Sequence, residues 1–319
     1  MATSQRRLDR ALPIAARELP AQPRTLAGLA WRRFRRHKMA MVGLVMLIGM
    51  IIYIVGGSLI FSETYANFND TSIRLQAPSA AHLFGTDEIG RDILARTIYG
   101  GQISLIIGFL SVLLSITVGT GIGIMAGYYG GIADSVLMRF TEAVLSLPTL
   151  LLLLVMAKFF GGRLPDLQLL GRDFSASVVV IILIIGFTSW TYLARLVRSS
   201  FLTLKEQDFV LAARALGATN IQIMLRHILP NAVAPILVAA TLGMANAILQ
   251  EAYISFLGLG VQPPTATWGS MMQGATGAIT RGQWWLWFFP GLLIVLTVLS
   301  INFLGDGLRD ALDPRSQKG

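Results

Sequence analysis

The chain has 319 residues, of which 54% are hydrophobic and only 13% charged, about half the 25% charged share of an ordinary soluble domain. That leaves too little polar surface to cover a globule in water and excludes a purely soluble enzyme or a disordered regulator, while the lack of cysteine excludes disulfides, thiolate metal sites and thiol catalysis. The net charge of +9 reads first as membrane-orientation charge and only weakly as affinity for nucleic acid.

Residues 1–24, rich in Ala, Arg and Pro, read as a disordered tail. Residues 25–37 interleave Leu26, Leu29, Ala30, Trp31 and Phe34 with arginines, the pattern of a helix lying on a membrane face. A bilayer core takes about 20 apolar residues as a helix. The uncharged run 39–61 is long enough, and longer than the 7–15 residues typical of a signal-peptide core, so it reads as a retained first span. Asp87, Glu88, Arg91 and Asp92 then open an amphipathic segment with Thr86 or Asp87 as its expected helix cap. Its two readings are a contact for a partner protein and a solvated interfacial helix.

The second span is expected over 101–133, where Gly119-Thr-Gly-Ile-Gly123 has the spacing of close helix packing in lipid. The third is expected over 140–160. Arg139 and Glu142 at its start are three apart and can pair on one helix face. They are candidate gate residues, with a local ion pair as the plainer reading. The fourth and fifth fall at 174–194 and 228–250, with Arg195 and Arg198 read as snorkelling side chains. Glu251 closes the fifth: either a pathway or outer-gate group, or a hydrogen-bonding partner for the next loop. That loop, 252–280, is uncharged but rich in Gly, Pro and Thr, and such backbone must be packed on protein. The sixth span is expected over 282–305, with Trp284, Trp285 and Trp287 as an aromatic belt. The expected fold is all-α, with six spans.

Orientation follows from where the cations lie. Arg32, Arg33, Arg35, Arg36 and Lys38 precede the first span. Lys205, Arg214 and Arg226 lie in the 199–230 loop, and Arg309, Arg315 and Lys318 in the tail. Arg74, Arg91 and Arg96 are offset by Glu63, Asp70, Asp87, Glu88 and Asp92. Both termini and the 199–230 loop are therefore expected in the cytoplasm, and 62–100 outside.

The 199–230 loop is long and patterned. Thr203-Leu-Lys-Glu206 reads as a capping box. The helix expected after it carries Phe209, Ala213 and Leu216 on one face, and Gly217 ends it. Thr219-Asn-Ile-Gln222 is a second capping box, followed by a helix with Ile221, Met224, Leu225 and Ile228 on one face, which Pro230 ends. This helix–Gly–helix unit is either a docking knob for a cytoplasmic partner or an ordinary surface hairpin.

Leu211-Ala-Ala-Arg-Ala-Leu-Gly217, followed by Leu229-Pro230, resembles the EAA loop of permease subunits in binding-protein-dependent ABC importers. Leu211 stands where that pattern has Glu, and His227 where it has Ile. Gly85-Thr-Asp-Glu-Ile-Gly-Arg-Asp92 with Tyr99-Gly-Gly-Gln-Ile-Ser104, and Phe256-Leu-Gly-Leu-Gly-Val-Gln-Pro-Pro264 with Trp268-Gly269, are similar to segments of the dipeptide/oligopeptide/nickel permeases. The ending Asn302-Phe-Leu-Gly-Asp-Gly-Leu-Arg-Asp-Ala-Leu-Asp-Pro314 resembles their C-type subunit. The resemblance covers about residues 25–315.

It implies the type I ABC importer permease fold in a bacterial inner (plasma) membrane. An interfacial helix, first span and outer loop would occupy 25–100, and a five-helix permease core 101–315, with the coupling loop 199–230. The implied partners are a second, different permease, two ABC ATPase subunits, an extracytoplasmic peptide-binding protein and membrane lipid, with no nucleic acid. The implied cargo is a di- or oligopeptide, with nickel, opines and glutathione as alternatives. The implied ATPase-coupling residues are Glu206, Asp208, Ala212, Ala213, Arg214, Gly217, Ala218 and Thr219. Glu251, Arg139 and Glu142 remain the candidate pathway residues.

The chain itself is expected to be no enzyme and to carry no cofactor. None of its lysines follows glycine, so a phosphate-binding P-loop is absent, as are a Gly-x-Ser-x-Gly elbow and an His-Glu-x-x-His zinc motif. His37, His82 and His227 lie far apart in sequence, so no histidine-rich metal site is expected. A secondary transporter is the competing class. It would place ionisable groups near the midplane, where these spans are nearly empty of them.

Overall fold

The computed structural model describes residues 26–160, 167–169 and 172–312; the expected tail 1–24 lies outside them. Helix α1 (Leu26–Arg36) meets α2 (Lys38–Ile60) at His37, whose Nδ1 accepts the Ala40 N–H at 3.1 Å. A short α3 (Glu63–Asn67) and a 3-10 turn (Thr71–Ile73) follow. Asp92, and not Thr86 or Asp87, caps α4 (Ile93–Tyr129), accepting the Ala95 N–H at 2.9 Å. The Asp87 carboxylate is taken up instead by the N–H groups of Ile89 and Arg91 in its own loop. Helix α4 has 37 residues and runs unbroken through residues 100 and 101, so the backbone has no boundary there. At 1.5 Å per residue it is about 55 Å long, against about 30 Å for a hydrocarbon core.

The third span is not one helix. Helices α5 (Gly131–Leu145) and α6 (Thr149–Phe160) are bent by 84° at the Ser146-Leu147-Pro148 break. Proline lacks an N–H and pushes its predecessor out of helical geometry. A two-stranded antiparallel hairpin, β1 (Leu167–Leu169) and β2 (Arg172–Phe174), leads to α7 (Ser177–Leu204). Next come α8 (Asp208–Ala215), α9 (Asn220–Gln222), a π-turn (Ile223–Ile228) and α10 (Leu229–Phe256). Short helices α11 (Trp268–Met271) and α12 (Ala275–Thr280) precede α13 (Trp285–Leu312). Pro230 does not end a helix. The Leu229 N–H bonds Met224 O five residues back, and the π-turn lets residues 220–256 run on as one span.

Among the described residues five helices are long and apolar enough to cross a membrane, and the bent pair makes a sixth. Packing requires that sixth crossing. Gly119, Gly123 and Gly127 of α4 meet Trp190, Val197 and Phe201 of α7 in turn, so α4 and α7 run parallel. Two consecutive parallel helices need a return, and α5–α6 provides it. Ser177, at the start of α7, lies at the opposite end from Gly131 and accepts from the Gln262 N–H at 2.9 Å. The glycines make the contact. A Cβ at Gly123 would sit 2.6 Å from Val197 Cβ, and one at Gly119 2.7 Å from the Trp190 carbonyl oxygen.

The other helices fill in around this pair. Tyr99 near the start of α4 donates to Phe61 O just past the end of α2 (2.8 Å). His37 Nε2 lies 3.3 Å from Asp310 Oδ2 near the end of α13. The bundle thus has two ends. One carries α1, the 205–228 loop and the end of α13; the other carries the 62–92 and 257–284 loops. The loop expected from 252–280 contains two short helices and folds back on α4, α10 and α13.

Two expected surface roles are corrected. Arg198 does not snorkel: its Nε and Nη2 grip both Asp134 carboxylate oxygens, tying α7 to the start of α5. Of the three tryptophans, Trp284 is half exposed, but Trp285 is buried, with Nε1 donating to Thr86 O at 3.2 Å. Trp285 is therefore a strut under the 62–92 loop, not a member of a lipid-facing belt.

Candidate functional site

The 205–228 loop is built on Phe201, which is wholly buried at the end of α7. The expected Thr203 capping box does not form. Helix α7 continues to Leu204, so Thr203 lies inside it and bonds Ser199 O (3.1 Å), while Glu206 is exposed ahead of Gln207, the first flanking residue of α8. The second capping box does form: the Thr219 hydroxyl accepts the Gln222 N–H and the Gln222 side chain accepts the Thr219 N–H. Between them Gly217 has φ +82°, the left-handed region that costs an L side chain about 1–2 kcal/mol.

The loop's faces differ from the expected ones. Val210, Ile223, Met224 and Ile228 are buried together with Phe201, Ala218 packs against them, and Ala213 is buried as well. Phe209, Leu211, Leu216, Ile221 and Leu225 are exposed, Leu216 at 88%. Phe209 and Leu216 were expected to share a face with Ala213. A buried Val210 in their place rotates the helix, and the π-turn does the same to Ile221 and Leu225. Asp208, Ala212, Arg214 and Thr219 are exposed alongside them. The result is a loop beyond the spans that exposes five large apolar side chains beside charged neighbours. Tyr128 at the end of α4 donates to Asn220 Oδ1 at 2.7 Å, a tie between loop and bundle that no sequence pattern announced. Asp134 did leave a signal, as the first charge after a long uncharged run, but its partner 64 positions on is set by packing.

Glu251 is wholly buried. Its Oε1 accepts from Ser255 Oγ (2.6 Å) and Thr267 Oγ1 (2.6 Å), and its Oε2 from Ser104 Oγ (3.2 Å). Ser104 in turn accepts the Trp268 N–H (3.2 Å), and Trp268 Nε1 donates to Thr97 O (2.8 Å). One carboxylate thus joins α10, α4 and the 257–267 loop. Arg139 and Glu142 stand apart from this cluster, 3.9 Å from each other on α5, with side chains 87% and 62% exposed.

At the same end as Glu251 the 62–92 loop is held by polar contacts. His82 Nδ1 is 2.9 Å from Asp92 Oδ2 and Arg91 Nε donates to Asp87 (2.6 Å). Asp70 is held below the usual carboxylate range, chiefly by the Ser72 hydroxyl (2.6 Å) and then by the Ser72 N–H (3.0 Å). Among the described residues no three acidic or histidine side chains gather into a metal-binding cluster.

Comparison with known proteins agrees with this geometry. Residues 119–318 match the model of the binding-protein-dependent transport system inner membrane component, and residues 25–78 that of the N-terminal TM domain of oligopeptide transport permease C. The chain is 41% identical over 286 residues to the dipeptide transport system permease protein DppC of Alkalihalophilus pseudofirmus, covering 90% of this chain and 89% of that one. It is 38% identical over 302 residues to the oligopeptide transport system permease protein OppC of Haemophilus influenzae, covering 94% and 92%. A chain of the inward-facing MetNI methionine ABC transporter superposes on 67% of this chain and 95% of its own, with a TM-score of 0.51 at 22% identity, which is a likeness of fold. The chain therefore belongs to the inner membrane components of binding-protein-dependent transport systems, as a multi-pass permease of the peptide-transport type.

Proposed function

We propose that this chain is one permease subunit of an ABC importer for di- or oligopeptides. It forms the pathway with a second permease and couples to separate ATPase subunits through the 205–228 loop. The observation that carries the reading is the exposed apolar face of that loop, in a chain aligned over nine-tenths of its length with relatives named for dipeptide and oligopeptide transport. The loop shares its end of the bundle with Arg32, Arg35, Arg36, Lys38, Arg214 and Arg309, and an excess of cations marks the cytoplasmic side. Both described ends of the chain then lie inside, and the 62–92 and 257–284 loops outside. A cargo of nickel, an opine or glutathione belongs to the same reading with a different binding protein.

The loop's contacts give it a mechanical role. Val210, Ile223 and Ile228 root it on Phe201, Tyr128 ties it to α4, and α4 is locked to α7 by the glycine stripe. A push on α8 would therefore move α4 and α7 together. ATP would be bound and hydrolysed in the partner subunits, since this chain has no P-loop.

The test is purification of the tagged protein in mild detergent from its native membrane, followed by ATP-driven peptide uptake in proteoliposomes. A second permease and P-loop ATPases are expected to co-purify. Leu216→Asp is expected to release the ATPases and abolish uptake while the protein still inserts. Ala213→Arg would be a poor probe, because Ala213 is buried and its replacement would disrupt the loop itself. Uptake that ran on an ion gradient without ATP would overturn the reading.

A further inference from the structure

Several polar side chains in the spans are satisfied within the chain. Thr117, Thr188, Thr241 and Ser300 turn their hydroxyls back on carbonyls of their own helices, and Glu251 is enclosed by three hydroxyls. One row on α10 is different. Asn246, Gln250 and Tyr253 stand at i, i+4 and i+7, the spacing of a single helix face. Among the described residues, none of these three side chains has a hydrogen-bond partner. Asn246 is exposed, Tyr253 is 55% exposed, and Gln250 is half-buried with an orphaned Oε1.

The row lies at membrane depth. Asn246 is ten residues from Phe256 at the outer end of α10, about 15 Å at 1.5 Å per residue, or half of a hydrocarbon core of about 30 Å. Polar side chains at that depth face a bundle interior or a water-filled cavity, not lipid. Ala247 and Ile254, beside the row, pack with Leu153 and Ala157 of α6, so α6 borders it. Helix α6 starts at the 146–148 break. Phe140 stacks on Trp190 midway along α7, and the break follows about two turns later, in the outer half of the bundle, where residues 145–151 are all exposed. Lipid cannot satisfy the backbone polar groups of such a break either.

We propose that Asn246, Gln250 and Tyr253 are this chain's contact strip for cargo, hydrogen-bonding the backbone amides of a peptide in transit. The assignment rests on the importer reading, which puts a pathway between this chain and a second permease. Two observations favour cargo over a permanent helix partner. Close helix contact in this chain is built from glycine at every fourth residue, as at Gly119, Gly123 and Gly127 against α7. Asn, Gln and Tyr instead hold a neighbouring helix backbone off, which leaves space for a narrow extended chain. The row also carries no charge. Amide and phenol groups both donate and accept, so they match the N–H and C=O that peptides carry whatever their sequence, whereas a charge would hold some cargoes and reject others.

The experiment uses the assembled importer in proteoliposomes, with the binding protein recovered from native membranes. Asn246→Cys, in a chain with no native cysteine, is expected to react with a small membrane-impermeant thiosulfonate supplied on both sides, read by the mass of this chain. Peptide with ATP should slow that reaction severalfold. Asn246→Leu and Gln250→Leu, scored on intact complexes, should each lower peptide uptake about three- to tenfold, the scale of one hydrogen bond, while Asn246→Gln keeps most of it. Wild-type uptake in both leucine variants, or a cysteine that only a lipid-soluble reagent reaches, would overturn the strip. If the leucine variants instead lost the second permease on purification, the row would be a subunit seam and the proposed occupant would be wrong. All of these are scored against a wild-type complex that takes up peptide on ATP, so the importer reading stands through each. Wild-type uptake driven by an ion gradient without ATP would overturn that reading and the strip with it.

Discussion

Glu251 shows what one buried carboxylate does in an apolar bundle. Three hydroxyls converge on it from α4, α10 and the 257–267 loop. Glu251→Ala would leave all three without this acceptor, at about 1–3 kcal/mol for each group that finds no other. Glu251→Gln keeps one carbonyl oxygen and should cost less. Thermal unfolding of the purified protein in detergent should therefore rank wild type above Glu251→Gln and Glu251→Ala lowest; equal midpoints for all three would show that the network does not support the fold. The Asp134–Arg198 pair is the second residue-scale device. Its two members are coupled, so alanine at both should cost less than the sum of the single changes, by about 0.5–3 kcal/mol in a double-mutant cycle. Additive changes would mean that the pair contributes nothing to joining α5 and α7.

Helices here are distinguished less by propensity than by which face is bare. On α4, Gly119, Gly123 and Gly127 lie against α7, whereas Gly121 on the same helix meets nothing within 4 Å. Gly123→Leu must force Val197 aside and should destabilise by about 1–3 kcal/mol or more. Gly121→Leu, exposed on the outer side, should stay within about 0.5 kcal/mol of wild type. The paired measurement is the folded yield and melting temperature of the two variants, and a loss equal in both would remove the stripe's special role. The two prolines act in opposite senses for a local reason. Pro148 falls between two helices and breaks them by 84°. Pro230 follows a π-turn that has already displaced the bonding pattern by one residue, so the helix carries on through it.

At the scale of the whole molecule, the parallel run of α4 and α7 fixes the count at six crossings. The bent pair must return the chain, and both described ends then fall on one side. The chain has no native cysteine, so single cysteines report cleanly on sidedness. Glu88→Cys in intact cells, with the outer envelope permeabilised where there is one, should react with a membrane-impermeant maleimide. Leu216→Cys should react only after the inner membrane is opened. The reverse pattern would invert the molecule and overturn the proposed coupling role of the 205–228 loop, by removing it from the side where ATP is available.

The sequence by itself determined the number of spans, the position of the 205–228 loop, its Gly217 turn and the Thr219 cap. Each of these is written in local terms: a run of apolar residues, a glycine at the end of a helix, a Thr and a Gln three apart. The motifs from Gly85, Leu211 and Phe256 carried the family. Tertiary structure decided the rest, because it depends on neighbours distant in sequence. Apolar residues on both sides of a short helix gave no clue that Val210 would turn inward and Phe209 and Leu216 outward; that was settled by the fit against Phe201, Ile223 and Ile228. Asp92 took the cap because Asp87 was consumed by its own loop. Arg198 found Asp134, Trp285 found Thr86, and Arg96 found Asn67 and Asp87. A charge's meaning in a membrane protein is set by what pairs with it, and pairing across the bundle is fixed only when the helices have chosen their faces.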